Sequence, residues 1–366
     1  MIEFALMKHQ SEIIFKSQFE KNLFLAWEMG VGKTCATIQI LRQRYQEAGH
    51  LRKTLVVCPT IVQQNWKKEF DLYSKVPQGA IHVLTGPVKK RIEFIKGCTW
   101  NGVMILNHDV FDNIELVEAL IKWGPEILIG DEAHNFKNYK SKRARNIALI
   151  AQRCEHKYLL TGTPILSSAM DLFMPYFILD GGQTFGANFF AFRGMYFEDA
   201  NARWAGKPNY FPKWIPREGM YEQLATKLES KMTQVKKSEV LDLPPLVVEN
   251  IEVEMNTEQR RVYKELNRDF LAFIESKKGE SKAVVAKLAI TKALRMYQVV
   301  TGYAKSEDGE IHRFKDVPRV ELLKQLLQDI TPNHKVIVWA AFKENYANKS
   351  NYTKYYLPSN CRGFRS

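Results

Sequence analysis

The sequence predicts an α/β fold, a parallel sheet covered by helices on both faces. Two patterns carry that prediction. From residue 23 to about 180, short apolar runs alternate with longer stretches of helical period, which is the pattern of successive βα units. The apolar runs are apolar throughout, as strands are when both faces are covered. A third observation concerns function. Glycine-rich and acidic strings follow directly on three of these runs, at the strand ends where open α/β sheets bind ligands.

The strands in order are LFLAW (23–27), TLVVC (54–58), AIHVL (80–84), VMIL (103–106), EILIG (126–130) and KYLL (157–160). Helical patterns fall between them, at about 33–48, 60–72, 87–96, 110–122 and 141–153. Residues 181–218 break the alternation with GGQTFG, many aromatics, Pro212 and Pro216, and predict irregular, aromatic-packed structure. KKSEVLDLPP (236–245) reads as a linker, because two prolines break any helix. VVENIEVEM (247–255) alternates as a strand, and Thr257 is placed to cap a helix running to about 276. A second helix covers about 282–300, a turn 306–310, an amphipathic helix 318–330 and a buried strand 334–342. The last twenty residues show neither period.

Composition bounds the class. With 53 Lys+Arg against 40 Asp+Glu, net charge is +13, which favours an acidic polymer such as nucleic acid as partner. The five cysteines are scattered and make no C-x-x-C pair, as expected of reduced thiols and not of a disulfide or zinc frame. The N-terminus lacks a basic segment followed by a long apolar stretch, and no apolar run approaches the ~18 residues of a membrane span. We expect a protein without a membrane segment, cytoplasmic or associated with DNA.

Three strings carry chemistry. EMGVGKT (28–34) stands between a strand and a helix. There the backbone N–H groups of Gly30, Val31 and Gly32 can wrap phosphates, and the helix N-terminus adds positive potential. Lys33 is expected to reach the β- and γ-phosphates and the Thr34 hydroxyl to ligate Mg²⁺. DEAH (131–134) ends the fifth strand. Asp131 is expected to hold Mg²⁺ and Glu132 to activate the attacking water. LTGTP (160–164) ends the sixth strand, and His134 is expected to couple the acidic site to Thr161, Gly162 and Thr163. Alone, the acidic string could cap a helix and LTGTP could be a plain turn. Together with the glycine loop they predict a site for ATP and Mg²⁺.

These strings, taken with VVCPTIVQQNWKKEF (56–70), DEAHNFKNYKSKRAR (131–145), LLTGTPIL (159–166) and LDLPPL (241–246), resemble the SWI/SNF-like branch of superfamily 2 helicase-type motors. The resemblance covers roughly residues 5–342 and is closest to short versions found in phages and bacteria. It implies a RecA-like, phosphate-loop first lobe over 1–235, including the aromatic-rich insertion. A helical linker region over 236–317, the start of a second RecA-like lobe over 318–346 and an aperiodic tail over 347–366 would follow. It implies ATP-driven movement along double-stranded DNA. It gives Gln10, beside His9, an adenine-reading role, with a helix-surface glutamine as the alternative. It assigns backbone contacts with DNA to Pro59-Thr60 and the loop at Asn107-His108. Lys137, Lys140, Lys142, Arg143 and Arg145 follow the acidic strand with no acid among them, and can neutralise phosphates or form a solvated helix face.

The sequence departs from the family pattern where Ser167-Ser168 stand for an Asn and where Val235-Lys236-Lys237-Ser238 replaces an Arg-rich run. No paired-arginine segment of a second lobe appears; Arg362 and Arg365 sit in the tail. A trans-acting arginine contributes ~10³–10⁵ to phosphoryl-transfer rate. The expectation is therefore of a truncated motor that binds Mg-ATP and turns over slowly unless a partner chain supplies the second lobe. Two other classes stay open on the sequence. One is a non-hydrolysing module that binds ATP and DNA. The other is a strand-separating helicase or restriction-type motor subunit.

Overall fold

The computed structural model describes residues 5–163, 168–207, 210–276, 282–306 and 308–346. They fall into two compact units that meet after Pro245.

The first unit opens with a helix, α1 (Lys8–Lys16), followed by β1 (Asn22–Trp27), α2 (Lys33–Ala48), β2 (Thr54–Cys58) and α3 (Gln63–Tyr73). Next come β3 (Ile81–Val83), α4 (Val88–Gly97), β4 (Val103–Asn107), α5 (Ile114–Trp123), β5 (Ile127–Asp131), α6 (Lys142–Ala151) and β6 (His156–Thr161). All six predicted strands are present. They build one sheet with a seventh strand that the sequence reading did not include. With the seventh strand, Met232–Val235, labelled β9 by its place in the chain, the order is β3-β4-β2-β5-β6-β1-β9, and every ladder is parallel.

Side-chain alternation within each strand divides the core into two layers. Phe24, Leu55, Met104, Leu128 and Leu159 face one layer, under α4, α5 and α6. Leu25, Val56, Ile105, Ile129 and Leu160 face the other, under α1, α2 and α3. This is why the strands read as continuous apolar runs: both faces are covered. Cys35, Cys58, Cys98 and Cys154 are free thiols; Cys361 lies outside the described residues.

After β6 come α7 (Phe173–Asp180), α8 (Phe189–Tyr196), β7 (Phe197–Asp199), β8 (Trp214–Pro216), α9 (Met220–Leu228), the edge strand β9 (Met232–Val235) and a short helix, α10 (Lys237–Val240). The aromatic-rich stretch is thus more regular than its composition suggests. Asn188 caps α8 by accepting from Phe190 N and Ala191 N, and β7 pairs antiparallel with β8. The aromatic packing is there: Phe185, Phe192 and Tyr196 meet at ring distances of about 5–6 Å, and the Arg193 guanidinium lies 3.9 Å over the Trp214 ring. Asp180 anchors the return to the sheet. Its fully buried carboxylate accepts from Gly182 N and Thr184 N and pairs with Lys231 at 2.8 Å, one residue before β9.

The second unit contains α11 (Thr257–Ser276), α12 (Lys282–Thr301), β10 (Tyr303–Lys305), β11 (Ile311–Arg313), α13 (Pro318–Ile330) and α14 (Lys343–Tyr346). Two expectations are corrected here. The cap of α11 is Asn256, not Thr257: Asn256 Oδ1 accepts from Gln259 N, and Gln259 Oε1 accepts from Asn256 N. Residues 247–255 and 334–342 form no ladder. Val247, Val248, Ile337 and Trp339 are exposed, so alternation alone did not make strands where no neighbouring strand satisfies the backbone. Among the described residues, the core of this unit centres on Val299, Phe314 and Val317.

Candidate functional site

The phosphate loop sits at the C-terminal end of β1, the acidic pair at the end of β5, and Thr161 at the end of β6. In the sheet, β6 lies directly between β5 and β1. Three strings far apart in sequence therefore converge at one edge of three adjacent strands.

The loop is built on glycine. Gly30 (φ +87°) and Gly32 (φ +83°) adopt left-handed backbone, which only glycine takes without cost. Gly32 caps α2, whose first turn holds no acidic residue, so the N–H groups there are open to an anion. Lys33 Nζ donates to the carbonyls of Trp27 (2.8 Å) and Glu28 (3.2 Å), folded back over its own loop. Burial lowers the Lys33 pKa; Glu132 and Asp131 pull it up, and Lys237 pushes it down again.

Gln10 is not a helix-surface residue. It is buried, and its Nε2 donates to Gly32 O at 3.3 Å. His9 Nε2 donates to Val31 O at 2.9 Å, with its ring edge-on to Trp27. In this structure α1 therefore braces the back of the phosphate loop through both side chains. The packing is close: a Cβ at Gly32 would collide with Gln10 Nε2.

The acidic pair is held on three sides. Trp66 Nε1 donates to Asp131 Oδ2 at 2.9 Å, Glu132 N donates to Oδ1, and His108 Nε2 donates to the Asp131 carbonyl at 2.8 Å. Burial pushes the Asp131 carboxyl up, the Trp66 bond pulls it down and the Glu132 charge adds to the rise. Glu69, from the same face of α3 as Trp66, is also raised, by burial and then by Asp131. Asp131 thus repels both Glu132 and Glu69, with Lys33 among the cations nearby. Glu132 itself is in left-handed backbone, φ 50° and ψ 54°, an uncommon state for a residue with a Cβ. Its buried Oε2 has no well-directed hydrogen bond, although His134 Nδ1 lies 3.2 Å away.

The His134 ring also lies 3.2 Å from the Thr161 hydroxyl, and that hydroxyl accepts from Thr163 N at 3.1 Å. A Cβ at Gly162 would touch Met29 of the phosphate loop at 3.4 Å. Acidic site, third string and glycine loop are in one contact chain. Pro164 and Ser167 lie outside the described residues, as do Arg362 and Arg365.

The expected nucleic-acid residues divide. Pro59 and Thr60 follow β2 at the surface. Asn107 is buried, its Oδ1 accepting from Arg91 Nη1 at 2.7 Å. The basic run has no acid in sequence but meets three in space. Arg143 pairs with Asp109 (2.7 Å) and reaches Asp112 (3.4 Å), and Lys137 pairs with Asp171 (3.1 Å). Lys140, Lys142 and Arg145 are exposed and make no ion pair among the described residues.

Trp66, Glu69 and Lys237 were not among the expected site residues. The i,i+3 spacing of Trp66 and Glu69 right after a strand was the available signal.

A family model of the SNF2-related domain matches residues 13–300. The chain belongs to the SNF2-related domain family. Among its relatives, "Putative protein p41" of Acyrthosiphon pisum secondary endosymbiont phage 1 is 27% identical over 298 residues, 78% of this chain and 62% of that protein. "Helicase SWR1" of Candida glabrata is 32% identical over 231 residues, 60% of this chain and 14% of that protein. The chain thus spans less than two thirds of either relative. The SNF2-type RecA-like fold recurs in the "Sulfolobus solfataricus SWI2/SNF2 ATPase core in complex with dsDNA", with a TM-score of 0.53 and 20% identity over 96% of this chain and 70% of that one. No described helix is long and apolar enough to cross a membrane.

Proposed function

We propose that this chain is the ATP-binding lobe, with its outgoing connection, of a DNA-dependent ATPase that moves along double-stranded DNA. The convergence of Lys33, Asp131, Glu132 and the His134–Thr161 contact on three adjacent strand ends carries the reading.

The donor set fits a magnesium nucleotide. The helix α2 begins at the glycine loop with no acidic residue in its first turn, a buried carboxylate oxygen of Glu132 has no well-directed hydrogen bond, and the Asp131 carboxyl is raised by burial. Asp131 and Thr34 would hold the Mg²⁺, which neutralises charge on the phosphate oxygens. No group of three or more His, Cys, Asp or Glu among the described residues could hold a metal by itself.

In this reading Lys33 leaves the Trp27 and Glu28 carbonyls and turns to the β- and γ-phosphates. Gly30, Val31 and Gly32 donate backbone N–H groups. Glu132 orients a water for in-line attack and takes its proton on its carboxylate. His134 reports the state of that carboxylate to Thr161, and Gly162 and Thr163 move with it. Gln10 braces the loop with one hydrogen of its amide, and the second hydrogen is the donor it would offer an adenine.

DNA is assigned to Pro59, Thr60, Lys140, Lys142 and Arg145. Asn107, Lys137 and Arg143 act there only by exchanging their present partners. A second lobe, on this chain or on a partner, would supply the arginines that complete turnover. The reading is tested with Glu132→Gln. This variant keeps Mg-ATP binding and loses hydrolysis measured with double-stranded DNA present; hydrolysis at the wild-type rate would refute the base assignment. Preference for single-stranded over double-stranded nucleic acid in competition would instead favour a strand-separating motor.

A further inference from the structure

We propose that Lys237 is a second phosphate-binding cation of this site, contributed by the segment that leaves the first unit. The proposal rests on the nucleotide reading above and extends it to a residue outside the glycine loop.

The observation is a clamp. The β1–β9 ladder continues beyond β1 itself: Glu28 N donates to Val235 O at 2.9 Å. Two residues further on, Lys237 N donates to the Glu28 carboxylate at 2.8 Å. These two bonds lay residues 235–237 along the phosphate loop. Lys237 Cε then stands 3.7 Å from where a Cβ on Gly30 would be. The side chain is half-buried, whereas its neighbour Lys236 is exposed.

The charge arrangement points to a missing anion. The Lys237 ammonium makes no hydrogen bond or ion pair among the described residues. It lies near enough to Lys33 for the two charges to repel. Two ammonium groups held together over a glycine loop are unfavourable alone and favourable with polyphosphate between them. The two bonds hold the backbone of residues 235–237 against the loop, so the Lys237 side chain leaves from a fixed point beside Gly30. The positive charge is therefore aimed at the β- and γ-phosphates, the end of the nucleotide that Lys33 also serves.

The test uses the full chain with Mg²⁺ and a fluorescent ATP analogue, displaced by ATP, ADP, AMP or adenosine. Lys237→Ala and Lys237→Gln should weaken ATP about tenfold, ADP less, and AMP and adenosine not at all. Lys237→Arg should restore ATP affinity, and the salt dependence of ATP binding should be shallower in the Ala and Gln variants than in wild type. Unchanged ATP affinity in both variants overturns the proposal, and so does an equal loss for AMP and ATP, which would mean a structural role. Lys33→Ala runs beside them. Loss at Lys33 with none at Lys237 defeats this proposal alone. Failure of the wild-type chain to bind ATP defeats it together with the nucleotide reading.

Discussion

At the scale of the residue, the site is held by side chains that the chemistry itself does not use. Trp66 is one. Its indole N–H satisfies one oxygen of Asp131, and a hydrogen bond to a charged group contributes about 1.5–3 kcal/mol. Trp66→Phe keeps the packing and removes the bond. We expect a roughly tenfold or greater loss of Mg-dependent ATP binding, read by titration, with Mg-independent binding little changed. Glu132, which the chemistry does use, carries a different constraint: its left-handed backbone costs of order 1 kcal/mol or more. Asn enters that region more easily. Glu132→Asn is therefore expected to abolish hydrolysis while raising unfolding stability by about 0.5–1 kcal/mol, measured by denaturant titration. A less stable variant would mean that the strain is not stored there. Gly32→Ala is expected to destabilise the loop through its φ of +83°, with the Gln10 amide displaced from its bond to the loop as a secondary effect.

At the scale of the element, legibility followed coverage. Strands β1 to β6 were readable because each is apolar on both faces, and the helices between them because each presents one apolar stripe. The edge strand β9 was not. MTQV is half polar, is covered by a neighbouring strand on one side only, and takes its register from β1. The helix α1 was equally silent, since its buried face is largely His9, Gln10 and Ile13, polar groups that are buried only because the phosphate loop gives them carbonyls. The basic run after β5 was legible as charge but not as pairing, since Asp109, Asp112 and Asp171 come from other elements. The same long-range logic places the Asp180–Lys231 pair between the end of α7 and the start of β9. Breaking a buried pair of this kind costs about 3 kcal/mol. Asp180→Ala is expected to lower stability by that order in a denaturant titration, and a loss under about 1 kcal/mol would show that β9 stands without it.

At the scale of the whole molecule, the first unit is a seven-stranded sheet with two cores, while the second has helices and a β10–β11 hairpin, with Val299, Phe314 and Val317 buried among the described residues. Acid sensitivity should arise in the first. Burial holds His156 neutral, with its pKa lowered to about 4. Between about 6.5 and about 4 the unfolded chain binds a proton that the folded chain refuses, so stability falls as pH falls through that window. Glu155, paired with Lys21 and Arg52, is lowered to about 2. Its contribution is complete above about 4.5 and disappears on the way down to about 2. Unfolding midpoints measured from pH 8 to 4 should therefore decline mainly below 6.5, and His156→Gln should flatten the upper part of that decline. The central claim, that the edge of β5, β6 and β1 is a nucleotide site, is tested most directly by equilibrium binding of Mg-ATP to the full chain beside Lys33→Ala. The account predicts saturable binding by the wild type and a loss of at least a hundredfold in the variant; binding of equal strength by the two would contradict it.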